Sequence, residues 1–214
     1  EHGLARTFQN IRLFGNMTVL ENVMIGRDCR MSSGILGAIF RNKATVEEEE
    51  RIVHESYTML KKIGLDQYVN ELAKNLPYGA QRRLEIARAM ATEPFMLLLD
   101  EPAAGMNPLE TKRLNELIIR IRDSEGITIL LIEHDMSLVM SLSERIYVMD
   151  YGKLIAEGIP KEIKNSYFDL YFNLKTGDFS YYKKIQMQDN PLWMKLADFF
   201  ESPPTVYSLI GELG

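Results

Sequence analysis

Between residues 95 and 150 the chain alternates in a way that few folds accept. Phe95-Met96-Leu97-Leu98-Leu99 is a short, continuous apolar run bounded by polar residues, as in a strand buried on both faces of a parallel sheet. Ile127 to Ile132 is a second run of the same kind. Between them, Asn107-Pro108-Leu109-Glu110 starts a helix, with Asn107 as N-cap, Pro108 in the first turn and Glu110 three residues beyond the cap. Leu114, Leu117, Ile118 and Ile121 form its apolar stripe at helical spacing. A second helix, capped by Asp135, runs through Met140. It leads to strands over Arg145 to Met149 and Lys153 to Ala156, joined by a hairpin at Asp150-Tyr151-Gly152. Successive strands that run parallel need crossover connections, and helices at these positions supply them. The pattern predicts an α/β fold with a parallel sheet.

The flanks read differently. Leu4 to Phe8 is strand-like and ends at Gln9, and from Thr18 to about Ala91 the pattern is helical. Thr45-Val46-Glu47-Glu48 has the form of a capping box, followed by Ile52, Val53, Tyr57, Leu60 and Ile63 near one face and by Gly64 as a left-handed stop. Carboxylates at Glu47 to Glu50 then complement a helix dipole, which explains them better than a metal site. After residue 166 the chain is rich in aromatics. Tyr167, Phe168, Tyr171 and Phe172 have helical spacing, and Pro203-Pro204 breaks any later helix. Hydrophobic residues make up 46% and charged residues 26%, a balance that excludes a disordered or collagen-like chain. A net charge of -5 argues against nucleic acid as a partner. Cys29, the single cysteine, cannot form an internal disulfide, and no apolar run approaches the ~20 residues of a membrane-spanning helix.

Four features carry chemistry, each with a plainer structural reading. Asp100 and Glu101 sit at the carboxyl end of an apolar strand, where open α/β sheets bind ligands, yet an acidic pair there also suits helix capping. Leu76-Pro77-Tyr78-Gly79-Ala80-Gln81 runs into the basic helix Arg82 to Ala89. A glycine turn at a helix start favours an anion, and it also suits an ordinary loop. His134 follows the second buried strand, where a lone histidine is more often structural. Gln9, after the first strand, reads equally as a surface amide.

Taken in order, these features resemble the ATP-binding subunits of ABC transporters. Thr7-Phe8-Gln9 corresponds to the Q-loop, residues 76–81 to the signature loop, Leu97 to Glu101 to the Walker B strand, Asn107 to the D-loop and His134 to the H-loop. "TFQNIRLFGNMTVLENV" from Thr7, "DEPAAGMNP" from Asp100 and "IEHDMSLVM" from Ile132 are similar to the branched-chain amino acid importer (LivG-type) branch. The resemblance covers residues 1 to about 165. It implies a P-loop NTPase core of the ABC ATPase kind with an inserted helical subdomain, and ATP and Mg²⁺ as cofactors. Asp100 would serve Mg²⁺. Glu101 would act as general base, His134 would sense the γ-phosphate, and Gln9 would approach Mg²⁺ and the lytic water. Leu76, Pro77, Tyr78, Gly79, Ala80 and Gln81 would meet ATP held by the partner subunit, and Asn107 would lie at the dimer interface. The expected partners are a second, related but non-identical ABC ATPase and transmembrane permease subunits. The permease would dock over Asn10 to about Gly34, placing the protein peripherally on the cytoplasmic face of the cell membrane.

The chain departs from the family pattern in three ways. Pro77, Tyr78 and Ala80 replace the usual Ser, first Gly and Gln of the signature, and Asn107 replaces the usual Asp. No Gly-x-x-x-x-Gly-Lys-Ser/Thr occurs. In the resembled family that loop, with a central strand and a helix, precedes the Q-loop. The expectation is therefore a core incomplete at its N-terminus, unable by itself to hold or turn over ATP. The expected organisation is a strand end and Q-loop over 1–15, a helical subdomain with the signature loop over 16–92, a RecA-like core over 93–165 and a tail of unknown role over 166–214. The motifs do not read the transported solute, so urea or lipid transport, and a non-catalytic partner module, stay open.

Overall fold

The computed structural model describes residues 3–30, 43–150, 153–164 and 206–210. The chain divides into two compact units, residues 1–97 with 102–117 and residues 98–101 with 118–214.

The first unit holds strand β1 (Leu4–Arg6), helices α1 (Val19–Arg27), α2 (Lys43–Lys62) and α3 (Tyr78–Met90), the start of β2 (Met96–Asp100) and the first half of α4 (Pro108–Glu125). The N–H groups of Phe95 and Met96 both point to the Gly3 carbonyl, at 2.9 and 3.3 Å, which sets β1 beside the start of β2. Helix α1 opens on a capping box that the sequence pattern Thr18-x-x-Glu21 encodes and that sequence reading had passed over. The Glu21 N–H donates to the Thr18 hydroxyl at 3.2 Å, and the Glu21 carboxylate accepts the Thr18 N–H at 2.7 Å. These bonds hold the Glu21 carboxyl below its ordinary value.

Val19, Val23, Leu60, Leu84 and Ile86 are fully buried and form the apolar centre of this unit. Helices α1 and α3 approach closely at Gly26, where a Cβ would lie 2.3 Å from the Arg88 carbonyl. Helix α2 corrects one expectation. It already includes Lys43 and Ala44, both good helix formers, so Thr45 and Glu48 lie inside it and are buried. Gly64 stops the helix at φ +70°, as expected.

The second unit is a sheet in the order β2-β3-β6-β4-β5. Its other strands are β3 (Thr128–Ile132), β4 (Arg145–Asp150), β5 (Lys153–Gly158) and β6 (Val206–Ile210). Helix α5 (Met136–Leu142) carries the chain from β3 towards β4. The expected hairpin is present: β4 and β5 pair antiparallel with Asp150 opposite Lys153. Strand β6 lies parallel to β3 on one side and to β4 on the other. Ile129, Leu131 and Ile118 are fully buried, and Val139, Ile146, Val148 and Ile163 form a core cluster flanked by Met136 and Met140. The apolar runs predicted as strands thus become β2 and β3, and the predicted capped helix becomes α4. The helical spacing read over Tyr167 to Phe172 lies outside the described residues.

Candidate functional site

In the second unit, β2 ends by presenting Asp100 and Glu101. Glu101 has a positive φ of +43°, an uncommon conformation for a side-chain-bearing residue. Its N–H donates to the Ile132 carbonyl at 2.9 Å, so the backbone stays tied to β3 through the turn. This arrangement leaves the Glu101 Oε1 atom 3.6 Å from the His134 Nδ1 atom. The distance is electrostatic contact and lies outside hydrogen-bond range. The two residues are distant in sequence and meet because β2 and β3 are neighbours with matched carboxyl ends. Asp135 then closes the H-loop by capping α5, accepting the Ser137 and Leu138 N–H groups at 2.9 and 3.3 Å.

No cluster of three or more metal-binding side chains occurs among the described residues. The strand-end carboxylate of Asp100 fits Mg²⁺, which favours one or two carboxylates with waters and substrate phosphates over a full protein cage.

In the first unit, the signature loop is braced from several sides. Pro77, with extended backbone, precedes the first turn of α3, and its carbonyl accepts the N–H groups of Ala80 and Gln81 at 2.9 and 3.0 Å. The Gln81 amide reaches back to the Leu76 carbonyl at 2.9 Å. The Tyr78 hydroxyl donates to the Ala104 carbonyl at 2.9 Å. Gly79 packs against Glu110: a Cβ there would fall 2.9 Å from the Glu110 Oε1 atom and would require that carboxylate to shift. Asn107 caps α4 in the predicted way. Its side chain accepts the Leu109 and Glu110 N–H groups at 3.0 Å each, while Glu110 accepts the Asn107 N–H at 3.1 Å. Burial holds the half-buried Arg83 guanidinium beside this loop below its ordinary value.

Gln9 is exposed, and its backbone carbonyl is gripped by Arg82 at 2.6 Å. In the sequence Arg82 reads as one of a run of basic helix residues. It is fully buried, and so is Glu85. Their i,i+3 pairing is local, but the Phe8 carbonyl and Arg12 N–H that they also hold lie more than seventy residues away in sequence, and no local signal points to those.

A mixed sheet with adjacent carboxylates at a strand end and a histidine beside them, and in the other unit a glycine turn opening a helix, are features of an ATP-binding cassette. Residues 1–104 match the ABC transporter family. It is 48% identical over 164 residues to the high-affinity branched-chain amino acid transport ATP-binding protein LivG of Salmonella typhimurium, covering 77% of this chain and 64% of that protein. It is 43% identical to BraF of Pseudomonas aeruginosa, with the same coverages. Among solved structures it resembles an ATP-binding cassette of an ABC transporter in its ADP conformation. The TM-score is 0.62 at 36% identity, over 76% of this chain and 63% of the other. It also resembles cbiO1 from Clostridium perfringens, part of the ABC transporter complex cbiONQ, with a TM-score of 0.65 at 25% identity, over 86% of this chain and 68% of that one. The chain spans 64% of the length of the LivG relatives it matches. Among the described residues no helix is long and apolar enough to cross a membrane.

Proposed function

We propose that the protein to which this chain belongs is the ATP-hydrolysing, energy-coupling subunit of an ABC importer for branched-chain amino acids. The observation that carries this reading is the pairing of Glu101 with His134. A carboxylate held in a strained backbone, 3.6 Å from an exposed imidazole, is arranged for chemistry more than for packing. Similarity to LivG and BraF supports the solute class.

In this reading Glu101 takes the proton of the attacking water, and His134 donates to the γ-phosphate and fixes its orientation. Asp100 would hold Mg²⁺, and Gln9 would serve as the Q-loop glutamine. Mg²⁺, when bound, neutralises charge that develops on the phosphate oxygens. Residues Leu76 to Gln81 close over ATP held by a second, related ATPase subunit, and Asn107 stands at that interface. Residues from Asn10 onward receive the permease, at the cytoplasmic face of the membrane.

The test is phosphate release by the complete protein assembled with its partner subunits. Glu101→Gln is expected to lower turnover by about 10²- to 10⁴-fold, the range for loss of a general base, while nucleotide binding persists. Turnover unchanged by Glu101→Gln would refute the assignment.

A further inference from the structure

Three charged side chains of α3 hold the backbone of residues 8–12, and the mechanism above uses none of them. Arg82 donates from Nη1 to the Phe8 carbonyl and from Nη2 to the Gln9 carbonyl, both at 2.6 Å. Its Nη1 also meets Glu85 Oε2 at 2.9 Å. The other oxygen of Glu85 accepts the Arg12 N–H at 3.2 Å, and Arg88 donates to the Arg12 carbonyl. Arg82 and Glu85 are 0% and 2% exposed, whereas Phe8, Gln9 and Phe14 above them are exposed.

This is an unusual way to stabilise a protein. A buried ion pair often contributes no more than apolar residues of the same volume. Here the Arg82 Nε atom is also buried without a partner, which opposes stability further. What the arrangement supplies instead is geometry. A planar guanidinium with two parallel donors fixes two successive carbonyls in orientation as well as distance. Arg82 sits one turn inside the helix that the signature loop opens.

We infer that Arg82, oriented by Glu85 and assisted by Arg88, is a positioning residue that locks the Gln9 backbone to the signature helix, so that the Q-loop and the signature loop move as one body. The inference rests on the hydrolytic reading only for its kinetic consequence; the clamp itself is a property of the first unit. Any displacement imposed on residues 8–12 passes to Pro77–Gly79 through two short hydrogen bonds and one turn of helix.

Arg82→Lys is the discriminating variant, because an ammonium keeps the charge opposite Glu85 but cannot bond two carbonyls as a fork. In the 214-residue chain, amide exchange at residues 8–12 is expected to rise at least tenfold while residues 96–100 are unchanged. In the complete, assembled protein kcat is expected to fall about 10- to 100-fold, the scale of an ångström-level misplacement, with the KM for ATP within about threefold of the parent. In a Gln9→Ala background, Arg82→Lys is expected to lower kcat no further, because both changes act through one residue. A purely structural role would lower kcat by the same factor in both backgrounds, and that result overturns the inference. Unchanged exchange at 8–12 overturns it too, whatever the protein hydrolyses. If Arg82→Lys does not fold, Arg88→Lys, which loosens the Arg12 carbonyl and the guanidinium contact with the Phe14 ring, must show the same exchange and the same non-additivity.

Discussion

Glu101 offers a stability measurement whose sign reports on function. At most positions glycine is less stable than alanine by about 0.5–1 kcal/mol, because it loses more backbone entropy on folding. At Glu101 the φ of +43° reverses the comparison. A left-handed residue bearing a Cβ costs about 1–2 kcal/mol, and glycine avoids that cost. Glu101→Gly is therefore expected to be more stable than Glu101→Ala by about 1 kcal/mol. Both variants lose the contact with His134, so that contribution cancels. With a urea dependence of about 2 kcal/mol per molar, the midpoints of the two variants should differ by about 0.5 M in circular dichroism of the 214-residue chain. Alanine equal to or above glycine would mean that the backbone at 101 is not strained. The expected order means that the protein keeps a carboxylate where glycine would be more stable, as happens when function opposes stability.

Two further outcomes follow from the caps. Asn107→Ala removes the acceptor for two N–H groups at the start of α4 and should destabilise the chain by about 1 kcal/mol, read as a shift of the urea midpoint; Asn107→Asp should restore most of it. The Glu21 carboxyl is held low by its bonds to Thr18, so its contribution is present above the unfolded value and lost as pH falls through the lower, folded one. Amide exchange at residues 18–22 should accordingly loosen on acidification from about pH 5 to about pH 3, judged against the unfolded carboxyl near 4.3, and Glu21→Gln should abolish that dependence.

What could be read from the sequence divides by range of interaction. Strands β2 and β3, the Asn107 cap and the Asp135 cap all declare themselves within a few residues, through continuous apolar runs and short polar side chains ahead of helical stripes. Asp100, Glu101 and His134 stand out in the sequence as polar residues following buried strands, while the roles proposed for them come from the resemblance. Thr45 misled because a capping box is a local pattern that a longer helix can absorb, and good helix formers lie ahead of it. Arg82 and Glu85 were opaque for the opposite reason. Beside Arg83 and Arg88 they look like the solvated face of a basic helix, and only contact with residues 8–12 buries them. Val206 to Ile210 has ordinary strand composition, with no local sign that it would enter the middle of a sheet.

That central strand makes the last prediction. Strand β6 pairs Val206 to Leu209 with Ile129 to Ile132, and Tyr207 to Ile210 with Arg145 to Val148. A parallel strand with neighbours on both sides directs its N–H groups to both, so proline is excluded from it. Ser208→Pro removes one donor and leaves an acceptor unpaired, at about 1–3 kcal/mol, before any clash of the ring. Because β6 separates β3 from β4, losing it leaves two facing edges where there were none. Amide protection at 129–132 and 145–148 is therefore expected to fall together while residues 78–90 stay protected, as measured by hydrogen exchange of the chain. Loosening of one strand alone, or of neither, would contradict the order β3-β6-β4. The effect should also reach the site: the Glu101 N–H bonds to Ile132, the residue opposite Leu209. Loss of β6 should therefore speed exchange at Glu101, the amide whose strained conformation depends on β3 staying in place.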